Sequence, residues 1–436
     1  MEPIADYLRS LAPQMQAWRR DFHHYAESGW LEFRTASHVA EILHGLAYQL
    51  ALGRDVVNAQ ARMGLPDEAT LAREEARARE QGAVERWLPA FSGGFTGLVA
   101  TLATGRPGPV IAFRVDMDAL DLDERRDESH RPFREGFASC NPGMMHACGH
   151  DGHTTIGLAL AHVLKKYEAQ LNGTIKLIFQ PAEEGTRGAR AMVAAGVLDD
   201  VDYFTAVHIG TGVPAGTVVC GSDNFMATTK FDVRFTGVAS HAGGKPEQGR
   251  NALLAAAQAA LGLHAISPHS EGASRVNVGL LQAGSGRNVV PASATMKMET
   301  RGETEAVNEY VFERAKAVIE GAAAMHGVAM EMRMMGAATS SRPTPEWVQF
   351  IREQALQCAG VKEAVETVKG PAGSEDATLM MAQVQARGGK ASYVVFGTEL
   401  SAGHHNERFD FDEQVMTVAA MTLSRLALHF PWQRGV

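Results

Sequence analysis

The chain has 436 residues, 45% of them hydrophobic and 21% charged, which is apolar content enough for the cores of two globular domains. Its formal net charge of −9, from 41 Lys+Arg against 50 Asp+Glu, argues against a nucleic-acid or acidic-membrane partner and leaves small molecules as the expected ligands. The start, Met1-Glu2-Pro3-Ile4-Ala5-Asp6, has neither the basic nor the apolar part of a secretory leader, and no run approaches the roughly 20 apolar residues of a membrane span, so a cytoplasmic location is expected.

Helical and extended patterns alternate along the chain, which favours an α/β architecture with a sheet between helices. Ile4 to Leu50 reads as two helices broken at Gly29, and Pro66 to Leu88, rich in alternating Arg and Glu, reads as a solvated surface helix. Phe95–Leu102 and Val110–Val115 read as adjacent strands. A helix from His153 to about Tyr167, a strand Thr174–Phe179, a helix Gly188–Ala195 and a strand Tyr203–His208 follow.

Near Ser222 the texture changes. Phe225–Gly237, Arg275–Leu281, Ala294–Glu299 and Val328–Met334 read as strands, and Gly249–Ala265 and Glu305–Met325 as helices, a β-α-β-β-α-β order. This predicts a ferredoxin-like domain, 223–340, inserted into a discontinuous catalytic domain, 1–222 and 341–436, with a helical excursion over about 54–91. After Arg342-Pro343-Thr344-Pro345 the alternation resumes, with helices Glu346–Cys358, Ser374–Val384 and Glu413–Leu428 and a strand Ser392–Phe396.

Met145-His146-Ala147-Cys148-Gly149-His150-Asp151-Gly152-His153 gathers a thiol and imidazoles in one short segment, Gln180-Pro181-Ala182-Glu183-Glu184-Gly185 adds a carboxylate pair, and Ala206-Val207-His208 another imidazole. Divalent metals take N, S and O donors together, and a hydrolytic site also needs a base beside its water. Adjacent side chains at a bend point differently, so one of Glu183 and Glu184 can bind metal while the other accepts a proton. Asp116 ends a strand and could orient a ligand imidazole or thiolate; by itself it would read as a strand-end turn carboxylate. Four cysteines, Cys140, Cys148, Cys220 and Cys358, are too few for a disulfide framework and read as reduced thiols, of which Cys148 alone sits among possible co-ligands.

Arg19-Arg20-Asp21-Phe22-His23, Phe113 to Leu120, His146 to His153, the Glu183-Glu184 pair and Gly373-Ser374-Glu375-Asp376 occur in the order found in the aminoacylase/carboxypeptidase family of dinuclear metallo-amidohydrolases, which the chain resembles from its first helix to His405 and beyond. The resemblance implies metal ligands at Cys148, His150, Glu184 and His208, Glu183 as general base and Asp116 as orienting carboxylate. It implies a last ligand in His404-His405-Asn406-Glu407-Arg408-Phe409; two adjacent histidines leave the choice ambiguous, and the family's placement of the ligand four residues before an aromatic selects His405 over His404. The inserted domain resembles the family's lid and dimerisation domain, in which His241 reaches a neighbouring active site and Asn288 and Arg301 hold the substrate's carboxylate. Departures are Ala26, where the family commonly has Pro, and the longer 54–91 region, expected to touch the aromatic half of the substrate or a second subunit.

What the resemblance implies is hydrolysis of a linear amide with two divalent ions per subunit, manganese favoured and zinc the alternative, since a thiolate ligand also suits zinc. The expected substrate is p-aminobenzoyl-glutamate, giving p-aminobenzoate and glutamate, in a dimer formed through the lid by two copies of the chain, by the chain and a related second subunit, or both. An N-acyl amino acid amidohydrolase of aminoacylase or hippurate type is the alternative. A non-catalytic assembly subunit is the other class; retention of every ligand and of Glu183 counts against it.

Overall fold

Strand-forming segments that alternate with helices settle into a wide mixed sheet in one part of the chain and a small antiparallel sheet in another, in a computed structural model that describes residues 3–223, 225–340, 342–368 and 373–431. Asn224 and Ser341, at the crossings expected near 222 and 341, lie outside the described residues. One compact unit takes in 1–223, 341–370 and 376–436, and the other 224–340 with 371–375.

In chain order the strands are β1 Gln49–Leu52, β2 Leu98–Ala103, β3 Val110–Asp116, β4 Thr174–Gln180, β5 Tyr203–Ile209, β6 Thr217–Val219, β7 Ala227–Thr236, β8 Ser274–Ala283, β9 Ser293–Gly302, β10 Ala329–Ala338, β11 Glu363–Val365 and β12 Lys390–Phe396. The first unit holds an eight-stranded sheet in the order β1-β2-β4-β3-β5-β12-β6-β11. Its centre, β4-β3-β5-β12, is parallel. Central strands of this kind are covered on both faces and read as apolar runs, and β5 is buried over Phe204–Ile209.

Two expectations for this sheet change. The strands β2 and β3 are not neighbours: β4 lies between them, antiparallel to β2 and parallel to β3. A short link between two strands suggests a hairpin, but helix His150–Lys166 supplies the crossover that lets β4 pair in parallel with β3. The second N-terminal helix, Phe33–Gly45, stops before Leu50; Ala47 is left-handed at φ 58, and Gln49–Leu52 becomes an edge strand on β2.

The second unit is a four-stranded antiparallel sheet, β10-β7-β9-β8, with helices Ala252–His264 and Glu305–His326 on one face, a ferredoxin-like βαββαβ fold. Phe231, Val233, Phe235, Met296 and Met298 alternate along β7 and β9 and bury against Ala- and Leu-rich helix faces. The opposite face of these strands is polar.

Within the excursion, helix Glu68–Glu80 is capped by Asp67, which accepts from the Thr70 N–H at 2.7 Å. It is more than a solvated helix, because Leu71 and Ala78 bury in the main core. Arg77 reaches the sulfur of Met144 at 3.1 Å, and Gln81 donates to Asn141 at 2.6 Å, so the excursion braces the segment leading into the Cys148 loop. No helix among the described residues is long and apolar enough to cross a membrane.

Helix Pro3–His24 brings a buried ionic network to the start of helix His150–Lys166. Arg19 Nε bonds Asp151 Oδ2 at 2.8 Å and Nη2 bonds Asp410 Oδ1 at 2.9 Å, while His23 lies between Asp151 (2.8 Å) and Glu124 (2.9 Å). Burial opposes a charge on His23, but Glu124 and Asp151 outweigh it and push its pKa up to about 9. A raised folded-state pKa contributes stability fully below the unfolded value of 6.5 that is lost as pH rises through 9. Chemical denaturation of the wild-type chain should therefore show stability falling by on the order of 3 kcal/mol between pH 6.5 and 9. His23→Gln should flatten that slope; an unchanged slope would place the titrating group elsewhere.

Candidate metal centre

The C-terminal ends of the four parallel strands are where the chemistry-bearing side chains meet, as open α/β sheets place their sites. Asp116 is the last residue of β3 and Asp118 follows it; the Glu183-Glu184 turn follows β4; His208 is near the end of β5; His404 and His405 follow β12. Helix His150–Lys166 begins earlier than its apolar pattern suggests, so His150 is its first residue and Cys148 stands just outside it. Gly149 between them is left-handed at φ 93, and a Cβ there would lie 2.9 Å from the Ile209 side chain, so glycine alone lets the thiol and the imidazole turn to one side.

The turn carrying the glutamates is strained and held. Ala182 at φ 51 and Thr186 at φ 61 are left-handed without being glycine. The Asp118 carboxylate accepts from the Glu183 and Glu184 N–H groups, each at 2.9 Å, and Glu32 Oε1 accepts from Ala182 N–H at 2.7 Å. Asp376, whose Oδ2 accepts from Gly188 and Ala189 N–H at 3.0 and 2.9 Å, fixes the far side of the same loop.

Cys148 Sγ is 3.4 Å from His208 Nε2, and His405 Nε2 is 3.6 Å from Glu184 Oε1. His150 Nε2 lies 3.9 Å from Glu183 Oε2 and 4.0 Å from Glu184 Oε1. Donors sharing one cation at bonds of about 2.0–2.3 Å sit roughly 3.3–3.8 Å apart, so the first two spacings suit a shared ion and the His150 spacings lie just beyond that range. Cys148, Glu184 and His405 form one donor group, and His150, Glu183 and Glu184 another. His150 Nε2 and Glu184 Oε1 are buried with no hydrogen-bond partner among the described residues, a costly condition that a cation would relieve.

The electrostatics agree. Burial, with His153 and His404 beside it, holds His208 well below its ordinary pKa, the neutral form a metal ligand needs. Burial, opposed by His150 and reinforced by Asp118, pushes the Glu184 carboxyl up to about 7. Burial and Glu184 push the Cys148 thiol well up. Acceptors crowded this closely ionise together once a cation is among them, so the residues fit a metal pair.

Asp116 Oδ1 bonds His153 Nδ1 at 2.6 Å and stands 3.8 Å from His150 Nδ1, whereas Asp118 Oδ1 is 3.3 Å from that nitrogen. Burial works against its charge, yet His150, Arg114 and His153 hold the Asp116 carboxyl well below the usual range. His153 Nε2 accepts the Ile209 N–H at 3.0 Å, so both its nitrogens are used and the ring buttresses the cluster. Of the adjacent histidines, His404 Nε2 accepts the Thr211 N–H at 2.8 Å, while His405, left-handed at φ 63, presents Nε2 to Glu184.

In the second unit, His241 Nδ1 accepts from Gly243 and Gly244 N–H at 3.1 and 2.9 Å, so its proton sits on an outward Nε2. Ala242 N–H donates to Asn288 O at 3.0 Å, which puts His241 and Asn288 in one loop pair. Arg301 is engaged by Glu299 through two bonds, at 2.9 and 3.1 Å. Asp118, His153 and Glu32 were not anticipated as parts of the site; Asp118 and His153 lie inside the motifs quoted for it, and Glu32 carries no local signal.

The model of Peptidase family M20/M25/M40 matches residues 112–429. The chain is 74% identical over 436 residues to the indole-3-acetyl-aspartic acid hydrolase of Enterobacter agglomerans, and 72% identical over 436 residues to a subunit of the p-aminobenzoyl-glutamate hydrolase of Escherichia coli (strain K12), covering 100% of both chains in each case. A dinuclear metal-binding peptidase of the M20 family from Bacillus subtilis superposes with a TM-score of 0.67 at 26% identity, over 97% of this chain and 98% of that one. A chain with this match, this donor cluster and these relatives belongs to peptidase family M20/M25/M40 and is a metal-dependent amidohydrolase.

Proposed function

We propose that the chain cleaves the amide bond between an aromatic acyl group and an acidic amino acid, with p-aminobenzoyl-glutamate the favoured substrate and p-aminobenzoate and glutamate the products. The observation that carries this reading is the pairing of Glu183 with an intact donor cluster in a chain 72% identical, end to end, to one subunit of a p-aminobenzoyl-glutamate hydrolase. The relative at 74% identity, named for indole-3-acetyl-aspartic acid, supports a second reading with an arylacetyl-aspartate. Both names join an aromatic acid to a dicarboxylic amino acid. That common feature speaks for this class over simple N-acyl amino acids.

In this reading Cys148, His150, Glu184, His208 and His405 hold two divalent ions, manganese favoured and zinc the alternative. Bound cations of this kind polarise a carbonyl oxygen and lower the pKa of water. Glu183 takes the water's proton and returns it to the amide nitrogen as the C–N bond breaks. Asp118 positions Glu183, Glu184 and His150, and Asp116 acts one step further out, through His153. His241, with its proton on Nε2, donates to the developing oxyanion of a neighbouring subunit's site. Asn288 and Arg301 take the α-carboxylate, for which Arg301 exchanges Glu299 as its partner. The assembly is a cytoplasmic dimer through the lid unit, its partner either a second copy of this chain or a related second subunit.

The reading is tested by assaying the metal-reconstituted chain on p-aminobenzoyl-glutamate. Glu183→Gln should keep the metal content and lose roughly 10²- to 10⁴-fold in turnover, the usual worth of a positioned proton carrier. Near-normal turnover with full metal would remove Glu183 from the chemistry. Cys148 supplies an independent check, because a metal-bound thiolate is shielded: alkylation should be slow in the loaded chain and fast after chelation, and Cys148→Ala should lower metal content and activity together. Equal alkylation in both states would make Cys148 a core cysteine only.

A further inference from the structure

The polar face of the lid sheet carries a local charge conflict. In the β8–β9 register Arg275 pairs directly with Arg301, so both side chains rise from the same face, with Cβ atoms about 5 Å apart. Val276 and Val278 of β8 pack into the lid core, which confirms that Arg275 projects the other way. Like charges directly opposite destabilise a sheet. Arg301 is neutralised by Glu299. Arg275 is exposed, its Nη1 bonds only the Ser274 carbonyl at 2.8 Å, and no ion pair ties it among the described residues. On the other side, Lys230 of β7 is directly opposite Glu299. Glu299 is thus taken up by Arg301, and Arg275 has no carboxylate partner among the described residues.

We infer that Arg275 is a specificity-determining residue that binds the side-chain carboxylate of the substrate's amino acid, beside the α-carboxylate at Arg301. The inference rests on the proposed amide hydrolysis and on Arg301 as its α-carboxylate partner. An acidic amino acid carries two carboxylates a few bonds apart, and two arginines directly opposite each other on neighbouring strands offer a guanidinium fork to each. The second carboxylate relieves the Arg275–Arg301 repulsion, and a neutral side chain does not. This selects glutamyl and aspartyl amides over other N-acyl amino acids by charge, while leaving the aromatic half unread.

The test compares N-(p-aminobenzoyl)-L-glutamate with its isosteric glutamine analogue, which keeps the shape and loses the second charge. In Arg275→Gln, kcat/KM for the glutamate should fall roughly 10- to 100-fold, the worth of one charge-assisted hydrogen-bonded pair, while that for the glutamine analogue stays within about twofold. Arg275→Lys should recover part of the loss. Calorimetric binding of the same two ligands to the metal-loaded Glu183→Gln chain, with and without Arg275→Gln, should show the same asymmetry in Kd. Equal losses on both ligands, or no loss on either, overturn the assignment. If the wild-type chain hydrolyses both amides without preferring the glutamate, amide hydrolysis stands and the Arg275 subsite falls. If it hydrolyses neither yet binds the glutamate more tightly through Arg275, the subsite stands and the hydrolase reading falls.

Discussion

The Asp118 carboxylate, wholly buried at the end of β3, is the constraint on which the centre depends. One oxygen accepts from Glu183 N–H and the other from Glu184 N–H, and the group faces His150 at 3.3 Å. It therefore fixes Glu183, Glu184 and His150 at once. The turn it holds contains two left-handed residues that are not glycine, each costing of order 1–3 kcal/mol. Hydrogen bonds to a charged acceptor contribute about 1.5–3 kcal/mol apiece, so the Asp118 pair is of the size needed to offset that strain.

Around this point the fold supplies rigidity from several directions. The parallel strands deliver Asp116, the glutamate turn, His208 and the His404-His405 segment to one edge of the sheet. Arg114 ties β3 to β4 and to Asp376 through Gln180 (2.8 Å), Asp116 (2.7 Å) and Asp376 (3.3 Å). Arg19 and His23 anchor Asp151, next to His150, to the N-terminal helix. Breaking a buried pair of this sort typically costs about 3–5 kcal/mol, so the helix that begins at His150 has little freedom to shift. Preorganisation of this kind is what a dinuclear site requires, because misplacing one donor by about 1 Å forfeits much of the chemistry.

The donor cluster was legible because thiol, imidazoles and paired carboxylates stand in short motifs whose chemistry has few other uses. The inserted unit was legible because period-two and helical patterns alternate cleanly there, and its βαββαβ order is the one found. What the sequence hid was relational. Asp116 and Asp118 are two residues apart, and strand-end position points to Asp116; which of them faces His150 is decided by how β3 leaves the sheet. His153 lies inside the motif, but only the fold shows both nitrogens occupied. Glu32 lies 150 residues from Ala182, and no local pattern announces that bond. The order β2-β4-β3 was hidden for the same reason, since a short connection looks like a hairpin until the partner strand is known. The charged excursion looked solvated because its sign alternation outweighs the few apolar residues of its inner face, Leu71 and Ala78.

The central claim is that Asp118 positions the donors of a two-metal site. Its most direct test is the metal stoichiometry of the reconstituted chain before and after Asp118→Asn, which keeps the volume and removes the charge, with thermal unfolding to confirm that both proteins are folded. Two ions per chain are expected in the wild type and at least one fewer in a folded Asp118→Asn chain, with turnover lost alongside. Two ions bound as tightly in the variant, with ordinary turnover, would contradict it.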